Sequence, residues 1–184
     1  MRIVFVCTGN ICRSPMGEAL LRHELGVRGC DGVEVSSCGT WASAAQAATA
    51  HAVSVLGGRG IDLAPHRSRA LDAAEMEDAD LVLAMTSVHV REIEEMAPAA
   101  LPRVRLMKEL VELDLPPGAG LEALLATTRP APRRDLDVDD PMGLLPRSYE
   151  RAAGEIEAGV KVLADVLCGE REGIGDSTLG GAVQ

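Results

Sequence analysis

Hydrophobic positions along this chain fall into two alternating rhythms. Short β-branched runs at residues 2–6 (RIVFV), 33–37, 81–85 (LVLAM) and 104–107 read as strands. The first is apolar from Ile3 onward, as a strand buried on both faces of a sheet should be. Between and after these runs the apolar spacing changes to three and four, predicting helices over residues 15–26, 46–56, 71–77, 88–96 and 149–167. The closing helix puts Ile156, Val160 and Leu163 at core spacing. Ser14 reads as N-cap of the first helix, with Pro15 at its first position and Glu18 in its first turn. Gly57 and Gly58 end the second.

Strands that alternate with helices predict an α/β fold. The expected architecture is a single three-layer domain: a four-stranded parallel sheet in order 2-1-3-4, with helices on both faces. Right-handed crossovers leave few other solutions. Two stretches break the rhythm. Residues 115–137 carry Pro and Gly and read as a long irregular connection, with room for a short helix at 121–126. Residues 169–184 are Gly-rich, polar and aperiodic, and read as a disordered tail to a domain spanning 1–168.

Composition narrows the picture. A chain of 184 residues, 25% charged and 47% hydrophobic, suits one globular domain with a real core. With one Trp, one Tyr and one Phe, that core must be aliphatic. The net charge of -10 argues against nucleic acid as a partner, since such binding neutralises phosphates with Lys and Arg. Any phosphate site here must make its own positive potential. No secretory segment or membrane span is read, because the apolar opening run is too short for either, and a cytoplasmic protein is expected. Five cysteines, Cys7, Cys12, Cys30, Cys38 and Cys168, show no C-x-x-C pairing, so the expectation is free thiols and no metal.

Chemistry concentrates between the first strand and the first helix, in Cys7-Thr8-Gly9-Asn10-Ile11-Cys12-Arg13-Ser14. A cysteine followed six positions later by arginine arises by chance roughly 0.4 times in such a chain, so context carries the signal. A loop leaving the carboxyl end of a buried strand and feeding a helix is where open α/β sheets bind ligands. Its successive amides form an anion nest, and the helix dipole adds to it. Such a place stabilises a thiolate at Cys7. Arg13 can grip two phosphate oxygens with its planar fork. Gly9 permits a tight turn, Asn10 tolerates left-handed angles, and Ser14 can cap the helix and donate to the Cys7 sulfur.

These residues resemble the low-molecular-weight protein tyrosine phosphatases. The resemblance rests on V-C-T-G-N-I-C-R-S-P-M, on Ser36 to Thr40, on His66-Arg67-Ser68-Arg69, on Ala79 to Met85 and on the late Asp140-Pro141. It implies a protein tyrosine phosphatase in which Cys7 is the nucleophile and Arg13, with the amides of the loop, binds phosphate. It also implies Asp140 as general acid and then base; from spacing alone Asp135, Asp137 and Asp139 compete with it. Thr8, Gly9, Asn10, Ile11, Cys12 and Ser14 are implied as the rest of the phosphate site, and Trp41 as a wall that stacks on the substrate ring. The resemblance further suggests a protective Cys7–Cys12 disulfide, against the plain reading of Cys12 as a packed thiol. His66 is expected to anchor the Asn10 loop, and His23, His51 and His89 to be structural or surface residues. The implied partner is a phosphotyrosine-bearing protein, with a tyrosine kinase as one candidate. No cofactor is implied.

Two departures and three rivals accompany this resemblance. Met142 and Gly143 follow Asp-Pro where many members carry aromatics, and the 115–137 connection is longer than the family's. Phosphoarginine hydrolysis is the nearest rival, but relatives with that activity typically hold threonine where this chain has Ile11. Arsenate reduction needs further relay cysteines, and none lies between Cys38 and Cys168. A phosphate-binding module without turnover needs neither the thiolate nor the acid. A nucleotide P-loop is absent, since no G-x-x-x-x-G-K-[ST] occurs.

Overall fold

A computed structural model describes residues 1–128 and 134–168. The expected tail at 169–184 lies outside the described residues. Strand β1 (Arg2–Cys7) leads to helix α1 (Arg13–Arg28), strand β2 (Glu34–Gly39), and helices α2 (Ala50–Gly57) and α3 (Ala73–Asp78). Strand β3 (Leu81–Ala84), helix α4 (Ser87–Met96), strand β4 (Val104–Leu106), helix α5 (Gly120–Ala126) and helix α6 (Pro146–Cys168) complete the order. The strands form one parallel sheet, β2-β1-β3-β4, as the alternation predicts.

Alternate residues of β1 supply two separate cores. Ile3 and Phe5 join Leu81 and Leu83 under α1, α2, α5 and α6, while Val4 and Val6 join Val82 and Ala84 under α3 and α4. Both faces of β1 are thus buried, and its carboxyl end must emerge between layers, where the Cys7 loop begins. Gly17 lets α1 lie on β1, because a Cβ there would sit 2.5 Å from the Phe5 ring.

Several boundaries differ from expectation, for local reasons. Helix α1 starts at Arg13, with Cys12 at the N-cap position and no side-chain cap. Ser14 lies inside the first turn and its hydroxyl is engaged by the loop, while Glu18 falls beyond that turn and pairs with Arg22. Pro15 is tolerated because first-turn N–H groups have no helical acceptor. Helix α2 begins at Ala50, not residue 46, because the preceding backbone bonds elsewhere. Gln46 and Ser68 bond each other's backbones, the Thr49 N–H donates to the Ile11 carbonyl, and the Thr49 hydroxyl caps the helix. Strand β2 runs one residue later at its start and two at its end, since it pairs with β1 through Cys7 opposite Gly39. The 115–137 connection contains the anticipated short helix, α5.

The expectation of five free thiols is corrected: Cys30 and Cys168 form a disulfide. The carboxyl ends of α1 and α6 converge to a Cα separation of 5.8 Å across 138 residues of chain, a proximity that spacing cannot reveal. Closing so long a loop restricts the unfolded chain. Cys30→Ser is therefore expected to lose about 2–4 kcal/mol of stability under oxidising conditions. With dithiothreitol present, mutant and parent should share one urea midpoint. Equal midpoints without reductant would show that the bond carries no stability.

Candidate active site

The loop from Cys7 to Arg13 is held by groups that leave its interior open. Asn10 takes a left-handed backbone (φ 52°) and spends its whole side chain on position. Its amide nitrogen donates to Ser14 Oγ (2.9 Å) and Ser37 Oγ (2.8 Å), and its Oδ1 accepts from the Arg69 N–H (2.9 Å). Its carbonyl meets His66 Nε2 at 2.7 Å, which gives His66 the anchoring contact expected of it. Gly39 lets β2 press against the loop, since a Cβ there would lie 2.5 Å from the Thr8 carbonyl and 2.9 Å from the Asn10 nitrogen. A side chain at this position would push the loop open.

Cys7 is nearly fully buried, and its sulfur lies 3.0 Å from Ser14 Oγ. That hydroxyl already accepts from Asn10 and sits 3.2 Å from the Cys38 carbonyl. It has one proton, so it can donate to Cys38 when Cys7 is a thiol and turn to the sulfur when Cys7 is a thiolate. The arrangement thus accommodates both ionisation states without moving a heavy atom.

Arg13 is 3% exposed. One terminal nitrogen donates to the Val138 carbonyl at 3.0 Å, and the other meets Asp140 Oδ2 at 3.0 Å. Its Nε is buried with no partner among the described residues. A buried, unpaired guanidinium donor is costly unless an anion satisfies it. Asp140 is half exposed at the mouth, and its other oxygen accepts from the Met142 N–H. The competing aspartates are placed elsewhere. Asp137 binds the start of α4 through Ser87, and Asp139 points to solvent, 3.9 Å from Arg151. Asp135 does not line the pocket.

Cys7, Thr8, Gly9, Ile11, Cys12, Arg13, Asp140 and Met142 together line a cavity of about 150 Å³. The floor is the loop and Arg13; Ile11 and Met142 supply apolar wall. Trp41, expected as a wall, does not line this cavity. Its backbone N–H secures the Thr8 carbonyl, and its indole is 76% exposed and donates to Glu92. Cys12 is a free thiol whose pKa is raised by burial, partly countered by hydrogen bonds from Thr49 and Tyr149.

Two contributors were not legible in the sequence. Tyr149 reaches from α6 to Cys12 and to Met142 Sδ, bridging the loop and the Asp140 segment. His89, read only as structural or surface, is buried with its Nε2 2.9 Å from Thr8 Oγ1. Burial, and secondarily the nearby Arg13 charge, push its pKa down to about 3, so the ring is neutral at ordinary pH. The only sequence signal was its place three residues after the helix-capping Thr86.

A strand, an amide-lined loop and a helix N-terminus that present a cysteine beneath an arginine define a phosphate-transfer site. The comparisons agree. Residues 2–116 match the family model for low molecular weight phosphotyrosine protein phosphatase. The chain is 37% identical over 166 residues to a protein-arginine-phosphatase of Geobacillus stearothermophilus, covering 90% of this chain and 95% of that one. It is 39% identical over 110 residues to the low molecular weight protein-tyrosine-phosphatase Etp of Escherichia coli strain K12, covering 60% and 71%. The crystal structure of a low molecular weight protein tyrosine phosphatase from T. tengcongensis superposes with a TM-score of 0.74 at 33% identity, covering 91% and 99%. The chain belongs to the low molecular weight phosphotyrosine protein phosphatase family. It is accordingly a phosphoric monoester hydrolase.

Proposed function

We propose that the protein removes phosphate from phosphotyrosine in proteins, through a covalent phospho-cysteine. The observation that carries this is the single cavity holding Cys7, Arg13 and Asp140 below apolar Ile11 and Met142. In this reading the Cys7 thiolate attacks phosphorus in line, while the loop amides and Arg13 Nε hold the equatorial oxygens. The Cys7–phosphorus bond forms as the phosphorus–oxygen bond to the phenol breaks, and Asp140 delivers its proton to the departing oxygen. Asp140 then takes a proton from water, which attacks phosphorus, frees phosphate and returns the thiolate. The Thr8, Gly9, Ile11 and Cys12 backbones line the oxyanion site, and the exposed Trp41 ring is available outside it to a bound protein.

The cytoplasm is the proposed location. Among the described residues no helix is long and apolar enough to cross a membrane. A tyrosine kinase is a candidate substrate.

Phosphoarginine is the second reading, favoured by the protein-arginine-phosphatase that aligns over 90% of this chain. Ile11 decides for tyrosine: an aliphatic wall contacts a ring well and offers a guanidinium no hydrogen bond. Matched peptides carrying either phosphoresidue test this. The phosphotyrosine peptide should show the higher kcat/KM, by about tenfold or more, and Ile11→Thr should narrow or reverse the preference. Faster hydrolysis of phosphoarginine by the unaltered protein would overturn the tyrosine reading.

A further inference from the structure

The first turn of α4, with its cap Thr86, touches both halves of the site. From its one side His89 Nε2 reaches Thr8 Oγ1 in the nucleophile loop, while His89 Nδ1 is 2.9 Å from Thr86 Oγ1. From the other, Ser87 donates its N–H to Asp137 Oδ1 at 2.6 Å and its hydroxyl to Oδ2 at 3.2 Å. Asp137 lies three residues before Asp140. Between them, Val138 donates its N–H to the Met85 carbonyl at 2.8 Å and accepts from Arg13 with its own carbonyl.

We propose that Thr86, Ser87 and His89 form a positioning element that fixes the Asp140 segment against the nucleophile loop, with Asp137 and Thr8 as its two receiving residues. The physical case is one of connectivity. Asp140 is half exposed, and among the described residues its side chain is held by Arg13 and the Met142 N–H. The segment that carries it follows residues 129–133 and enters through a 3-10 turn, Arg134–Leu136. A carboxylate at the N-terminus of α4, bonded twice to Ser87, is a strong local anchor because both the amide and the helix dipole favour the charge. His89 supplies the other tie. A neutral imidazole donates from one nitrogen and accepts at the other, so the line Thr86–His89–Thr8 is satisfied in one polarity without water. The two ties share one rigid turn, and general acid catalysis depends on the distance between the two things they hold.

The inference rests on the reading of Asp140 as general acid, and it predicts separable defects. A series of aryl phosphates with good to poor phenol leaving groups is compared with inhibition by inorganic phosphate. Asp137→Ala should lower kcat for phenyl phosphate about tenfold and for p-nitrophenyl phosphate less than about threefold, because only a poor leaving group needs the proton. Its phosphate inhibition constant should not change. His89→Leu should raise the phosphate inhibition constant about tenfold without altering leaving-group dependence, and His89→Gln, which keeps a donor for Thr8, should recover most of it. Thr8→Val should match His89→Leu, and the double variant should be no worse than either.

Asp140→Ala, run in parallel, separates two failures. A flat leaving-group response there overturns the acid assignment itself. A steep response there with a uniform loss in Asp137→Ala overturns only the positioning role. Additive effects of His89→Leu and Thr8→Val, or no rescue by glutamine, reduce His89 to packing and also overturn it. Should His89→Leu fail to fold, Thr8→Val and Asp137→Ala decide alone, since neither position is deeply buried.

Discussion

Cys7→Ser is expected to lose turnover of p-nitrophenyl phosphate by about 10⁴-fold or more while the protein keeps its fold and its affinity for inorganic phosphate. The substitution preserves size in a buried position, and the hydrogen-bonding neighbour Ser14 remains. What it removes is the thiolate. A serine hydroxyl at the same place has no base hydrogen-bonded to it among the described residues: its neighbour is Ser14, whose hydroxyl is itself held by Asn10 and the Cys38 carbonyl, and His66 is turned to the Asn10 carbonyl. The oxyanion donors, the loop amides and the Arg13 fork, are untouched, so phosphate binding should hold within a few-fold. Steady-state kinetics and isothermal calorimetry with phosphate check the two halves independently. Residual kcat within about tenfold of the parent would sink the phospho-cysteine mechanism.

Asp140→Ala carries the second largest effect, a fall of about 10²- to 10⁴-fold in kcat for phenyl phosphate. Proton delivery matters in proportion to the basicity of the departing oxygen, so p-nitrophenyl phosphate should suffer much less. Asp140 meets Arg13 at 3.0 Å, hence its removal also frees a buried guanidinium nitrogen. That nitrogen then awaits an anion, and inorganic phosphate should bind the variant as well as the parent or somewhat better. The opposite pattern, weak phosphate binding with unchanged leaving-group dependence, would make Asp140 a phosphate ligand and leave the acid unassigned.

Legibility in the sequence followed the range of the interactions. The Cys7–Ser14 loop was readable because all its determinants are contiguous: an apolar strand before it, a helix after it, and residues suited to tight backbone angles between. The left-handed angle at Asn10 was anticipated from residue type, and the side chain proves to use every donor and acceptor it has. Asp140 was chosen among four nearby aspartates by resemblance alone; the structure separates three of them by what they touch. Asp137 caps α4, Asp139 faces solvent, and Asp140 lines the cavity. Trp41 shows the converse. Trp41 was expected as a wall, but its indole lies outside the cavity, which Met142 lines together with Ile11.

By itself, then, the sequence determined the α/β class, the strand order and the nucleophile loop, because periodicity and turn chemistry act over a few residues and right-handed crossovers restrict the rest. Only the tertiary structure decided which distant groups close around that loop. His89, Tyr149 and Asp140 arrive from positions 82 to 142 residues away from Cys7, and Cys168 reaches Cys30 across 138. No local pattern encodes such meetings. They depend on how closely the helices are set on their neighbours, as where Gly17 of α1 packs on Phe5 of β1 and Gly159 of α6 packs on Met107 just beyond β4.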